Sequence, residues 1–261
     1  MPSDRETRIR AYLGDPAAHE VLTGTGDLNI DDLFQNGILP LEPHFERIAR
    51  ELIGGLMNRA RQNVERIVKR LEQAGYLFED RNYFTPPAAD VASQIDAFEM
   101  ETQLYLPLVF RAWVETIGRV CLMGTHPGWP EITYNGLGGT GRAICSDPLV
   151  AYWTPKHGRN DWKEWTSKPV EDRYSPWFRL EFAPDPGHKA NYSSSGSFNL
   201  PMTAVPSLDA VVKDDDNGEY RRTFLEHIRD SFAHGGFPGW NHYQNAPVES
   251  LSELASGLET L

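Results

Sequence analysis

The stretch from Glu42 to Ala74 constrains this chain more than any other. Its only proline is Pro43, in the first turn, where a helix tolerates one. Apolar residues then recur at Phe45, Ile48, Ala49, Leu52, Ile53, Leu56, Met57, Ala60, Val64, Ile67, Val68 and Leu71. Steps of three and four place them on one face of a helix, and Gly75 supplies a stop. The rest of the chain must provide a core for that face. Gly54-Gly55, in the middle, points to a bend or a close neighbour. The opposite face carries Arg59, Arg61, Arg66, Lys69 and Arg70, broken by Glu65 and Glu72. That interruption reads as a solvated face rather than a nucleic-acid stripe.

Material for a core is ample: of 261 residues 40% are hydrophobic, with seven Trp, twelve Phe and ten Tyr. Before the long helix, RETRIRAYLG predicts a short helix ending at Gly14, and GDLNIDDLFQNG predicts another. After it, YLFEDRNYFTPP reads as a hairpin or extended linker, and Pro86-Pro87 marks a boundary near residue 86. Helices are expected at about 88–101 and 107–117. The period then changes. RVCLMGTH, DPLVAYW, WFRLEFAP and LDAVVKD read as strands, and KANYSSSGSFNLP as two strands around a turn. Helices return at about 219–233 and in VESLSELASGL. Runs of strands beside runs of helices predict an α+β fold with a mainly antiparallel, twisted sheet. The expected division is a helical region over 1–86 and an α+β domain over 87–261.

The chemistry-bearing motifs are sparse. Gly136-Leu-Gly138-Gly-Thr-Gly141 matches the dinucleotide fingerprint formally, but PGWPEITYN makes a poor strand before it and Pro148 leaves no room for a helix after it. The reading is a loop. SSSGS at 193–197 lacks the nucleophile-elbow pattern. Cys121 and Cys145 form no C-x-x-C pair, and the histidines show no H-E-x-x-H or i, i+4 spacing, so no cofactor or metal is expected. The opening residues are charged and no apolar run is long enough to span a bilayer. With reduced thiols as the default, the expected place is the cytoplasm.

Three stretches carry a resemblance. In IDAFEMETQLYLPLVFRAWVETIGRV, Phe98-Glu99, Leu106-Pro107, Trp113 and Gly118 resemble the opening of the SUKH superfamily. SDPLVAYW and FLEHIRDSFAHGGFPGW are similar to the later strand and C-terminal helix of bacterial proteins in or near that group. The resemblance covers roughly residues 90–255. It implies a twisted sheet with helices packed against it, serving as a binding module. Many bacterial members act as immunity proteins that neutralise toxins, often nucleases, and others as regulatory scaffolds.

Charge points the same way. A net charge of −12 repels nucleic acid and anionic membranes and attracts a basic protein. The expected contacts with such a toxin are Asp209, Asp214, Asp215, Asp216 and Glu219. The rival expectation is a hydrolase-type enzyme with a dispersed site, for which His126, Asp147, Asp185, His188 and His234 stand at element ends where sites gather. Their convergence in one cleft would favour catalysis.

Overall fold

The computed structural model describes residues 4–14, 38–41, 45–129, 146–173, 177–189, 196–214, 222–242 and 246–261. Its axis is helix α2, Glu46–Ala74, entered after α1 (Asp4–Tyr12) and the short strand β1 (Ile38–Pro40). Ala49, Ile53, Leu56, Met57, Ala60, Val64, Ile67, Val68 and Leu71 are all buried, on the face that the sequence spacing defines. Gly75 ends the helix in the left-handed conformation. A side chain at Gly54 would meet nothing within 4 Å, so no neighbour approaches there.

After α2 come β2 (Leu77–Phe78), β3 (Phe84–Thr85), α3 (Val91–Thr102), α4 (Leu108–Thr116), β4 (Arg119–Cys121) and β5 (Gly124–Thr125). The segment between α3 and α4 is fixed by one carboxylate. Glu99 accepts the Leu106 N–H at 2.9 Å and pairs with Arg111 at 2.8 Å. Phe98, Leu106 and Trp113 meanwhile point into the core. Gly118 follows α4 with φ +83°, and a Cβ there would lie 2.5 Å from the Thr85 carbonyl, so only glycine fits.

The remaining elements are β6 (Val150–Ala151), α5 (Pro155–Ser167), β7 (Arg179–Pro184), α6 (Pro186–Lys189), β8 (Ser197–Pro201), β9 (Ser207–Ala210), β10 (Lys213–Asp214), α7 (Phe224–Ala233) and α8 (Val248–Ala255). Every pairing between these strands is antiparallel: β3-β4-β6, β10-β8-β7, β2-β5 and β1-β9. A bond from Tyr152 N to Phe182 O, 3.0 Å, ties the two three-stranded sheets together. The fold is α+β. The boundary expected near residue 86 is bridged by the pairings β1-β9, β2-β5 and β3-β4, and one buried cluster runs from Ile9 to Leu261.

Three local expectations change. YLFEDRNYFTPP holds two strands that pair outward, to β5 and β4, instead of with each other. SFNLP, the second half of KANYSSSGSFNLP, pairs with β7 as the β7–β8 hairpin, and residues 190–195, where the first strand was expected, lie outside the described residues. Helix α5 was not anticipated; Thr154 caps it by accepting the His157 N–H, and Pro155 occupies its first turn. The second expected N-terminal helix, Cys145, the 136–141 glycines and residues 193–195 of the serine run lie outside the described residues.

The basic face of α2 is not simply solvated. Arg59 donates to Thr260 O, Arg66 to Gly257 O, and Arg70 to Glu253 O and Leu254 O. Between them buried Asn63 exchanges two bonds with the Glu259 backbone, at 2.8 and 2.7 Å. The stripe therefore closes the carbonyl end of α8 and the segment after it, where orphan acceptors and the negative end of the helix dipole lie. Asn63→Ala leaves the part-buried backbone N–H and C=O of Glu259 without their partner and Asn63's own buried site empty. It is expected to lower the unfolding free energy by about 2 kcal/mol in urea titrations and to make residues 256–261 the first site of limited proteolysis.

Candidate functional site

Asp209 does not belong to an acidic contact surface. It is 0% exposed. Its Oδ2 accepts the Tyr12 hydroxyl at 2.6 Å and the Leu225 N–H at 3.1 Å, and its Oδ1 accepts the Ala210 N–H at 2.8 Å. Thr223 completes the node: its hydroxyl lies 2.6 Å from that of Tyr12 and caps α7, with Glu226 answering in a capping box. Burial pushes the Asp209 carboxyl up to about 6, against the hydrogen bonds from Tyr12, Ala210 and Leu225 that favour its charge. Burial, then the neighbouring Asp209, raises Tyr12 well above its ordinary value. Asp214 falls on β10, at the edge of its sheet. Asp215, Asp216 and Glu219 lie outside the described residues.

The five residues watched for catalysis divide. His126 bonds Ala74 O and caps its own turn through Gly128 N. His234 bonds Asp230 O one turn back in α7. Of the other three, Asp147 reaches Lys189 with its side chain, while Asp185 and exposed His188 are its neighbours in the α6 turn. The Lys189 amine sits 2.5 Å from Asp147 Oδ1 and 5.2 Å from the centre of the Phe198 ring, with the side chain fully shielded. Asp185 accepts the His188 N–H at 2.6 Å and the Gly196 N–H at 2.8 Å, starting α6 and closing the β7–β8 connection. His227 is buried beside this cluster, and burial lowers it to about 4. The arrangement suits structure. The Lys189 amine is held against a carboxylate and a ring, and the Asp185 oxygens are engaged by backbone amides. Among the described residues no three His, Cys, Asp or Glu side chains stand together as metal ligands.

Two clefts border α8. One, of about 330 Å³, is lined by Arg70, Trp129 and Glu253; the other, of about 310 Å³, by Arg229, Phe232 and Leu258. Arg70 and Arg229 already donate to backbone carbonyls, of Glu253 and Leu254, and of Leu261 and Tyr12. Neither cleft presents uncommitted positive charge from those residues.

The surface feature that sequence reasoning missed is aromatic. On α5, Trp162 and Trp165 stack with ring centres 5.3 Å apart. Both rest edge-on against Phe178, at 5.1 and 5.8 Å. The next residue back, Trp177, is 70% exposed, and Val170 is 69% exposed. Arg173 lies with its guanidinium 4.0 Å from the centre of Trp165. Three tryptophans within 16 residues of sequence, 162 to 177, were the available signal; without a helix assigned at 155–167 their common face was not visible. No family model, curated protein or solved structure matches the chain. Among the described residues no helix is long and apolar enough to cross a membrane.

Two predictions test these roles. Because folding raises the Asp209 pKa, its contribution is complete below pH 4 and is lost as pH rises through 6. The stability difference between wild type and Asp209→Asn should therefore shrink by about 3 kcal/mol from pH 4 to pH 7 in denaturant titrations. Lys189→Met takes the cation away from a carboxylate that is nearly enclosed. It is expected to cost about 3–5 kcal/mol at pH 7 by urea unfolding, where a catalytic pair open to solvent would lose little.

Proposed function

We propose that the chain is a protein-binding module of the immunity type, neutralising a basic, nuclease-like toxin domain by direct contact in the cytoplasm. The observation that carries this reading is exposed Trp177, next in the chain to Phe178, on which the half-buried Trp162–Trp165 pair rests, with Arg173 over Trp165. Tryptophan and arginine dominate the residues that hold protein interfaces together, and a monomer gains nothing from leaving such rings to water. The net charge of −12 supports a basic partner. Asp214, Asp215, Asp216 and Glu219 then serve as a steering rim, since rim charge raises the rate of encounter more than affinity. Asp214 pairs opposite Phe198, itself opposite Ala183, whereas the aromatic patch adjoins the Arg179 end of β7. The two features are separated by about 14 Å along that strand, within the span of one ordinary interface. The resemblance to the SUKH superfamily supports the same reading.

Co-expression with the product of the adjacent gene tests it, through rescue of growth if that product is toxic and a pull-down of the complex. Changing Asp214, Asp215 and Asp216 together to Asn is expected to slow association about tenfold at low salt, with the rates converging at high salt. Equal rates at both salt concentrations would remove the acidic rim from the account. Absence of both rescue and binding would end the immunity reading and leave a regulatory scaffold.

A further inference from the structure

Residues 256–261, which follow α8, belong to no helix or strand. Their main chain is nevertheless held by side chains of α2 and α7. Arg66 donates to Gly257 O at 2.6 Å, Asn63 exchanges its two bonds with Glu259, Arg59 donates to Thr260 O at 3.0 Å, and Arg229 to Leu261 O at 3.0 Å. Arg59, Asn63, Arg66 and Arg70 recur at helical spacing, so they form one row on α2. From Arg59 to Arg66 the helix rises about 10 Å. The oxygens that these two hold lie on Thr260 and Gly257, and that stretch of chain covers about 10 Å when extended. The two spacings match for a segment lying extended and antiparallel along the row.

Asn63 decides what kind of polymer fits. Its amide gives an N–H to the Glu259 carbonyl and accepts the Glu259 N–H. A peptide backbone offers that donor and acceptor on one residue, whereas a phosphodiester chain has no donor to give. Recognition of main chain alone would accept any extended peptide. Three side chains narrow the choice: Leu258 is half-buried against the core, Leu261 is buried, and Glu259 pairs with Arg66 at 3.3 Å. Arg59 and Arg70 have no carboxylate partner among the described residues, which favours an acidic occupant.

The hold on residues 257–261 is shallow. The bonds from Arg59 and Arg66 are exposed to water, where each contributes little net stability. Gly257, at φ +62°, has nothing within 4 Å of its Cβ position, so the segment has room to swing out there. One cleft opens beside Arg70 and Leu254, the other beside Leu258 and Leu261.

We propose that the α2 row is a peptide-binding groove that residues 257–261 keep filled, and that a partner segment of the pattern Leu-Glu-x-Leu takes their place. This goes beyond the toxin-binding reading and uses neither its tryptophans nor its acidic rim.

The probe is a fluorescein-labelled, capped peptide of sequence Ser-Gly-Leu-Glu-Thr-Leu, followed by anisotropy with the full chain. In wild type it competes with a tethered copy of itself, so its binding is weak. The double variant Leu258→Asp, Glu259→Lys frees the groove and leaves α2 unchanged; it is expected to bind the peptide at least about tenfold more tightly than wild type. In that background Arg66→Glu should weaken the peptide about fivefold and restore binding of the same peptide with Lys in place of Glu. In wild type, peptide at saturation should raise hydrogen exchange at 257–261 about tenfold or more and leave α2 unchanged. Circular dichroism checks that each variant is folded. No saturable binding to a folded double variant, equal affinity of wild type and double variant, or unchanged exchange at 257–261 with peptide bound would overturn the proposal. If the double variant does not fold, the exchange measurement on wild type decides alone. Growth rescue and capture in co-expression depend on none of these outcomes, so the two readings fail separately.

Discussion

A carboxylate shut away from water sits where α1, β9 and α7 meet, and the arrangement of those three elements depends on it. Asp209 could not stay there without donors, since an unpaired buried charge costs several kcal/mol. Tyr12 comes to it from 197 residues away in sequence, and Leu225 offers the N–H of the first turn of α7. The helix dipole and the hydroxyl thus stabilise the charge that burial opposes. Strand β1 pairs along the same strand, β9, so the N-terminal segment is fastened to the sheet side of the molecule at two points. His227 in the same helix works in the opposite pH direction. Its lowered pKa contributes stability above about pH 6.5 that is lost as pH falls through 4. The two buried groups therefore oppose each other between pH 4 and 6, which flattens the pH response of the whole.

Helix α2 serves two surfaces. Its apolar face fills the core, as its spacing requires. Its arginines reach over to the carbonyls at the end of α8, a use of charge that needs no acidic partner. A basic stripe interrupted by glutamates looks solvated in sequence because the groups it meets are backbone oxygens of residues 253–260, which have no signature of their own. Arg61 divides its guanidinium between Glu65, one turn on, and the Thr116 carbonyl.

The helices that were legible are those with a clear apolar period, such as α2 with its stop at Gly75; α7 was expected from about 219 and begins at Phe224, after the Thr223–Glu226 box. Helix α5 had a start signal in Thr154-Pro155, but its run of Lys, His, Arg, Asn and Asp buried little beyond Pro155 and Gly158, so no period stood out. Asp209 was misread because it sits in LDAVVKD, next to an acidic run, and its burial depends on Tyr12 and Thr223 rather than on neighbours in sequence. The same distance effect hid the Asp147–Lys189 pair, 42 residues apart, although both residues adjoin positions that sequence had marked. Local order is written in neighbouring residues; polar groups buried by tertiary contacts are not.

The division between buried charge and half-buried aromatic rings also bears on what the surface can do. A catalytic site needs its ionisable groups within reach of a substrate, whereas here Lys189, Asp185 and Asp209 are spent on holding strands and helices together. A recognition site needs rigid side chains that lose little freedom on binding. Trp162 and Trp165 meet that requirement, because each stacks on the other and both lean on Phe178, which leads directly into the six-residue strand β7. That strand is hydrogen-bonded to β8 on one side and tied to β6 on the other by Tyr152 N. Among the described residues β7 and β8 share the longest strand pairing, so the rings rest on a firmly held strand.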